Sequence, residues 1–136
     1  MMDSLNKYSP YALALLRIMA GYMFLLHGTA KYFEFPMSMT GGNGAVPVFS
    51  MYGIGGILEI TGGILLILGL FTRQVAFLLS GMMAVAYFHV HAIPADNLFL
   101  PLTNKGELAA LYCFAFFYIF FQGGGAFALD NKRNQK

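Results

Sequence analysis

Four long apolar runs, set apart by short clusters of glycine, proline and charge, cover residues 10–33, 51–71, 74–92 and 105–122. Each approaches the roughly 20 mostly apolar residues that a helix needs to cross a hydrocarbon core about 30 Å thick. A lone apolar strand would leave its backbone groups unpaired in lipid, so all four runs predict helices. The first run is too long, and too interrupted by Arg17, for a cleavable leader, and it is expected to stay. The expected fold is all-α, an integral membrane four-helix bundle that uses residues 1–136 as a single domain.

The connections set the order of packing. Residues 34–50 form a long link with Pro36, Pro47 and the stretch "TGGNG", whereas "FTR" at 71–73 is so short that runs two and three read as a tight antiparallel hairpin. The third link, "IPADNLFLPLTN", carries two prolines, and the polar tail "DNKRNQK" is expected to fray. The glycine-rich pieces "TGGNGA" and "GIGGIL" fit neither a dinucleotide fingerprint nor a P-loop, so no nucleotide site is read from them.

Polar residues inside the apolar runs are few and patterned. In "GIGGILEITGG", Glu59 has Gly55, Gly56, Gly62 and Gly63 three and four residues away, on its own helix face. Small residues above and below a carboxylate predict a face that another helix or a ligand approaches closely. In run one, Ala14, Gly21 and Gly28 recur at intervals of seven, with Arg17, Phe24 and Lys31 three residues after each. That seam turns Lys31 toward neighbouring helices, with His27 one turn earlier beside it. Headgroup snorkelling is the plain alternative for both cations. His89 and His91 are two apart and point to different sides; the small-residue face of run three leads to His91. Glu107 opens run four, where it either complements the helix dipole or joins the buried charges.

Basic residues set the orientation. Lys7, Arg17, Arg73, Lys132, Arg133 and Lys136 fall on one side and only Lys31 and Lys105 on the other, so both termini are expected in the cytoplasm. His27, Lys31, Glu59, His91 and Glu107 then share one polar layer in the outer third of the bilayer. Buried charges at that depth demand partners: Lys31 with Glu59, and Arg17 or His91 with Glu107.

Composition narrows the function. The chain is 58% hydrophobic and 10% charged with net charge +2, against about 25% charged residues in soluble domains, so it needs lipid as its solvent. No basic stripe suggests nucleic acid. The single cysteine, Cys113, excludes an internal disulfide, a CxxC pair and a thiolate metal site. A di-metal carboxylate bundle would place histidine three residues after its glutamates; here those positions hold Gly62 and Ala110, and no metal is expected.

The pieces "LLRIMAGYMFLLHGTAK", "ILEITGGILLILGLFTR", "AVAYFHVHA", "KGELAALYCF" and "GGGAFALD", in this order and spacing, resemble the DoxX family of small four-helix bacterial membrane proteins. That family usually closes its last span with Gly-Pro-Gly, where this chain has Gly123, Gly124 and Gly125. The resemblance carries over Arg17, His27, Lys31, Glu59, Arg73, His91 and Glu107 as polar positions. It also implies the bacterial inner membrane, and association with quinone-linked thiosulfate oxidation or with a membrane complex handling oxidative and thiol stress. Broader relatives include cargo receptors and chaperones.

Three function classes remain open. In the first, the chain is a subunit or anchor of a membrane oxidoreductase, unable to catalyse alone. Glu59, His27 and Lys31 are then its reactive groups, and His27, His91, Glu107 and Arg17 line a cofactor site. The cofactor expected there is a quinone, with haem b between His27 and His91 a lesser variant. Its partners are the bilayer, a soluble or membrane redox protein that supplies electrons, and a second copy if the chain oligomerises. In the second class the same charges only lock the helices of a scaffold, chaperone or assembly factor. In the third, a dimer forms a small transporter, although the cytoplasmic half offers only Arg17 to a polar route.

Overall fold

A computed structural model of the chain describes residues 2–133, whose regular elements are all helical, with no strand among them. A 3-10 segment, Met2–Tyr8, leads into α1 (Ser9–Phe33), with Pro10 in its first turn, where a missing N–H costs nothing. α2 spans Met51–Leu68 and α3 Thr72–Ala86, and α3 continues through one wide π-helical turn, Tyr87–Ala92. Two short helices, α4 (Pro101–Asn104) and α6 (Asp130–Arg133), flank α5 (Glu107–Gln122).

α1, α2 and α3 with its π turn are each long and apolar enough to cross a membrane; α5, with 16 residues, is a shorter apolar helix. Large apolar side chains such as Leu15, Leu111 and Phe114 stay about 70% exposed, as a lipid-facing surface requires. The interior is a cluster around Phe24, Leu66, Leu79, Tyr112, Phe116 and Ile119.

Boundaries depart from the apolar runs where backbone chemistry intervenes. The second run extends to Phe71, but α2 stops at Leu68 because Gly69 adopts a left-handed conformation (φ 68°) and its N–H caps the Leu65 and Leu66 carbonyls. α3 starts two residues before its run. Its first N–H groups, Phe71 and Thr72, donate to the Asp130 carboxylate at 2.9 and 2.8 Å. Lys105, the start of run four, instead closes α4 with φ 63°, and α5 begins at Glu107.

The helices pair as α1 with α2 and α3 with α5, while the tight turn between α2 and α3 joins the two pairs. Glycine decides this. A Cβ on Gly21 would lie 2.8 Å from the Gly63 carbonyl oxygen, and one on Gly63 would lie 2.7 Å from that of Gly21. Further along the same seam, a Cβ on Gly28 would lie 2.8 Å from the Gly56 carbonyl oxygen. The two backbones touch where side chains are missing, in antiparallel register. The glycines around Glu59 play different parts. Gly62 receives the Leu79 side chain of α3, and Gly55 has open space beside it.

The end that carries the chain termini is closed by hydrogen bonds. Arg17, fully buried, donates to the carbonyls of Leu66, Ile67 (2.9 Å), Gly124 (2.8 Å) and Ala126 (3.2 Å). Arg73 caps α5 through the carbonyls of Phe120 (2.9 Å) and Phe121 (2.6 Å). The segment expected to fray is folded back as far as Arg133: Leu129 and Asp130 donate to the Leu68 and Gly69 carbonyls. Residues 134–136 lie outside the described part. Burial alone would raise the Asp130 carboxyl, but the Thr72 and Phe71 N–H groups and the nearby Arg133 outweigh it and hold its pKa below the usual value.

Two outcomes are expected from this packing. Gly63→Ala lowers stability in detergent by about 1–3 kcal/mol through overpacking. Gly55→Ala, in open space, is neutral or gains up to about 1 kcal/mol of helix propensity. The Asp130 contribution is complete above its unfolded pKa of about 4 and is lost as pH falls through its lower folded value. Melting temperatures below about pH 4 should therefore fall more steeply for wild type than for Asp130→Asn.

Candidate functional site

The close approach of α1 and α2 brings the last turn of one against the middle of the other. Lys31 Nζ donates to both carboxylate oxygens of Glu59, at 2.8 and 2.6 Å, with the two side chains only 9% and 11% exposed. The missing side chain of Gly56 leaves room for the lysine stem, whose Cδ lies 3.2 Å from where a Cβ would stand. An ion pair in such surroundings is held by geometry, because the attraction only offsets the cost of removing both charges from water.

The pair borders a cavity of about 190 Å³ between α2 and α3. Gly55 opens it on one side and His91 closes it on the other, with Met51, Met82 and Met83 giving an apolar, polarizable lining. His91 reaches the cavity from the π turn, while His89 is exposed. π turns often occur at functional sites because the extra residue redirects side chains without ending the helix.

From the 34–50 loop, Met39 lines the cavity. That loop is wound around one carboxylate oxygen. Glu34 Oε1 accepts from Ser38 Oγ (2.7 Å), Thr40 Oγ1 (3.1 Å) and the Gly44 N–H (3.1 Å). The Ser38 bond, then that of Gly44, hold the Glu34 carboxyl below its ordinary pKa. "TGGNG" is therefore a loop held together by its own hydrogen bonds.

Other residues grouped with this site by sequence lie elsewhere. His27 is exposed on the flank of α1, in a separate cavity of about 270 Å³ with Met23, Pro36 and Met37; Met39 lines both cavities. Its position just before Gly28 turns it off the α1–α2 seam. His27 and His91 thus face different spaces. Arg17 sits 14 residues before Lys31, about 21 Å along the helix, among backbone carbonyls at the opposite end. Glu107 is exposed in the first turn of α5 and pairs with neither Arg17 nor His91; among the described residues it has no ion-pair partner.

Sequence reasoning passed over Tyr112. Its ring stacks on Phe116 (5.5 Å, 15°) and meets Phe24 edge-on (4.9 Å, 73°), so the side chain is held in place. Its buried hydroxyl has no hydrogen-bond partner among the described residues. The spacing of Ala109, Tyr112, Phe116 and Ile119 marks the inward face of α5, and Tyr112 is the polar member of that face.

Single and paired substitutions separate these contributions. Lys31→Met should cost about 3–5 kcal/mol by stranding a buried carboxylate, and Lys31→Met with Glu59→Leu should recover most of it. Tyr112→Phe, which removes an unpaired hydroxyl, should leave stability equal or slightly higher. Unfolding of wild type and the three variants in one detergent reads both effects.

A family model described as DoxX matches residues 12–92 of the chain. A Haemophilus influenzae protein, described as an uncharacterized protein, is 61% identical over 131 residues, covering 96% of this chain and 97% of that one. No solved structure matches.

Proposed function

This chain belongs to the DoxX family, and from that membership we propose that it is the membrane subunit of an oxidoreductase system, with a quinone headgroup in the Lys31–Glu59–His91 cavity. α5 is the fourth span, both termini are cytoplasmic, and the cavity lies toward the outer face of the bacterial inner membrane. The basic residues at the terminal end and the apolar surface of all four long helices support that placement.

The observation that carries the reading is a buried ion pair opening onto an apolar cavity of one-ring size. A dry cavity of about 150 Å³ holds benzene; this one is about 190 Å³. When bound, a quinone accepts two electrons and two protons. The electrons come from a partner protein, and the chain's own groups handle the protons and the charge. Lys31, fixed by Glu59, stabilises negative charge growing on a ligand oxygen. His91 and Glu59 are titratable groups lining the cavity and would carry the proton transfer. The methionines and Gly55 accept a flat ring.

A scaffold role is the second reading, and the interlocked glycines of α1 and α2 favour it. The two readings divide on ligand. Mass spectrometry of small molecules that co-purify with wild type, His91→Ala and Glu59→Gln should find a quinone near one per chain, lost in both variants. Only phospholipid in every sample would move the function to the scaffold. In a functional assay at matched protein levels, Glu59→Gln should be far more damaging than Glu107→Gln, since Glu107 is exposed at a helix start.

A further inference from the structure

The opposite end of the molecule holds a second polar cavity, of about 470 Å³, beneath the folded-back segment that follows α5. Arg73, Gln74, Gln122, Asn131 and Arg133 line it together with the Gly123–Gly125 backbone and Asp130. Its charges are unequally occupied. The Asp130 carboxylate is committed to the Phe71 and Thr72 N–H groups, with Arg133 3.8 Å away. The Arg133 guanidinium in turn lies over the Phe71 ring at 4.2 Å.

Arg73 differs. Its Nη1 is pinned by the Phe120 and Phe121 carbonyls, which fixes the plane of the guanidinium. Its Nε and Nη2 edge has no acceptor among the described residues, and no carboxylate pairs with it. That edge lies beside Gly123, where a Cβ would come within 3.3 Å of Nη2 and 3.5 Å of Nε. Gly123 has φ 86°, a conformation that disfavours larger residues, and a Cβ there would also crowd the arginine edge. The Nε–Nη2 edge of arginine is a parallel two-donor fork that matches two oxygens of a phosphate.

We infer that this cavity is a phosphate-binding site in which Arg73 offers its Nε–Nη2 fork and Gln74 and Gln122 supply neutral donors, the Asn131 Nδ2 donating instead to the Gly125 carbonyl (2.9 Å), and that its occupant is the headgroup of an anionic phospholipid. The cavity sits at the end of the apolar helices, where headgroups lie, and basic pockets between helices at that level take anionic headgroups. A soluble phosphate ester has the same chemistry and is the other source.

Native mass spectrometry of the full-length protein with added phosphatidylglycerol or phosphatidylcholine tests the site, alongside titration with inorganic phosphate followed by phosphorus NMR. Wild type should retain phosphatidylglycerol over phosphatidylcholine by about fivefold. Arg73→Lys keeps a cation and a donor for the α5 carbonyls but lacks the fork. It should lose most of that preference with little change in melting temperature. Gly123→Ala, which crowds the same edge, should lose it too. Wild-type binding of inorganic phosphate that Arg73→Lys abolishes would support the site and assign its occupant as soluble. Equal retention of both lipids without phosphate binding, or an undiminished preference in a folded Arg73→Lys protein, would overturn the proposal.

Discussion

Backbone contact between α1 and α2 is the constraint on which the rest of this molecule depends. Gly21 against Gly63 and Gly28 against Gly56 let two helices approach until carbonyl oxygens occupy the space of absent side chains. In lipid there is little hydrophobic gain from bringing two apolar helices together, so close van der Waals packing has to supply the specificity. The register that satisfies both glycine pairs also sets Lys31 opposite Glu59. Packing and charge agree, and the ion pair is a consequence of the helix contact as much as a cause of it.

The two ends of the bundle use buried polarity for different purposes. At the terminal end, Arg17, Asp130 and the Nη1 of Arg73 are paired mainly with backbone groups: carbonyls at the ends of α2 and α5, and N–H groups at the start of α3. These are helix caps made over long sequence distances, and they lock the last segment of the chain onto the first. At the other end, Lys31 and Glu59 satisfy each other and still border open space, with His91 on the same cavity. Polar groups paired with helix ends hold a fold together. A network that leaves donors and titratable groups facing a cavity costs stability, and such costs collect at sites that bind or react.

Polar residues read alike in the sequence but separate by this criterion. Arg17 and Lys31 stand in equivalent positions of one seven-residue pattern, yet one ends among carbonyls and the other against a carboxylate. His27 is one turn from Lys31 and still falls outside the pair's cavity, because α2 covers only the side of α1 that carries the glycines. Glu107 has the composition of a buried partner and the position of an exposed helix start.

The sequence by itself determined the apolar helices, the pairing demand of Lys31 and Glu59, and the glycine faces, because helical period and the cost of burying charge in lipid act locally and leave regular marks. It also carried the family, through the order of its motifs. Only the tertiary structure decided which helices pair, that Gly55 opens a cavity while Gly62 receives Leu79, and that the Tyr112 hydroxyl is buried with no hydrogen-bond partner among the described residues. It likewise decided that Asp130 caps a helix 58 residues earlier in the chain. These depend on the angle and distance between helices, which many sequence patterns share. A hydrogen bond between distant residues has no local periodicity to announce it.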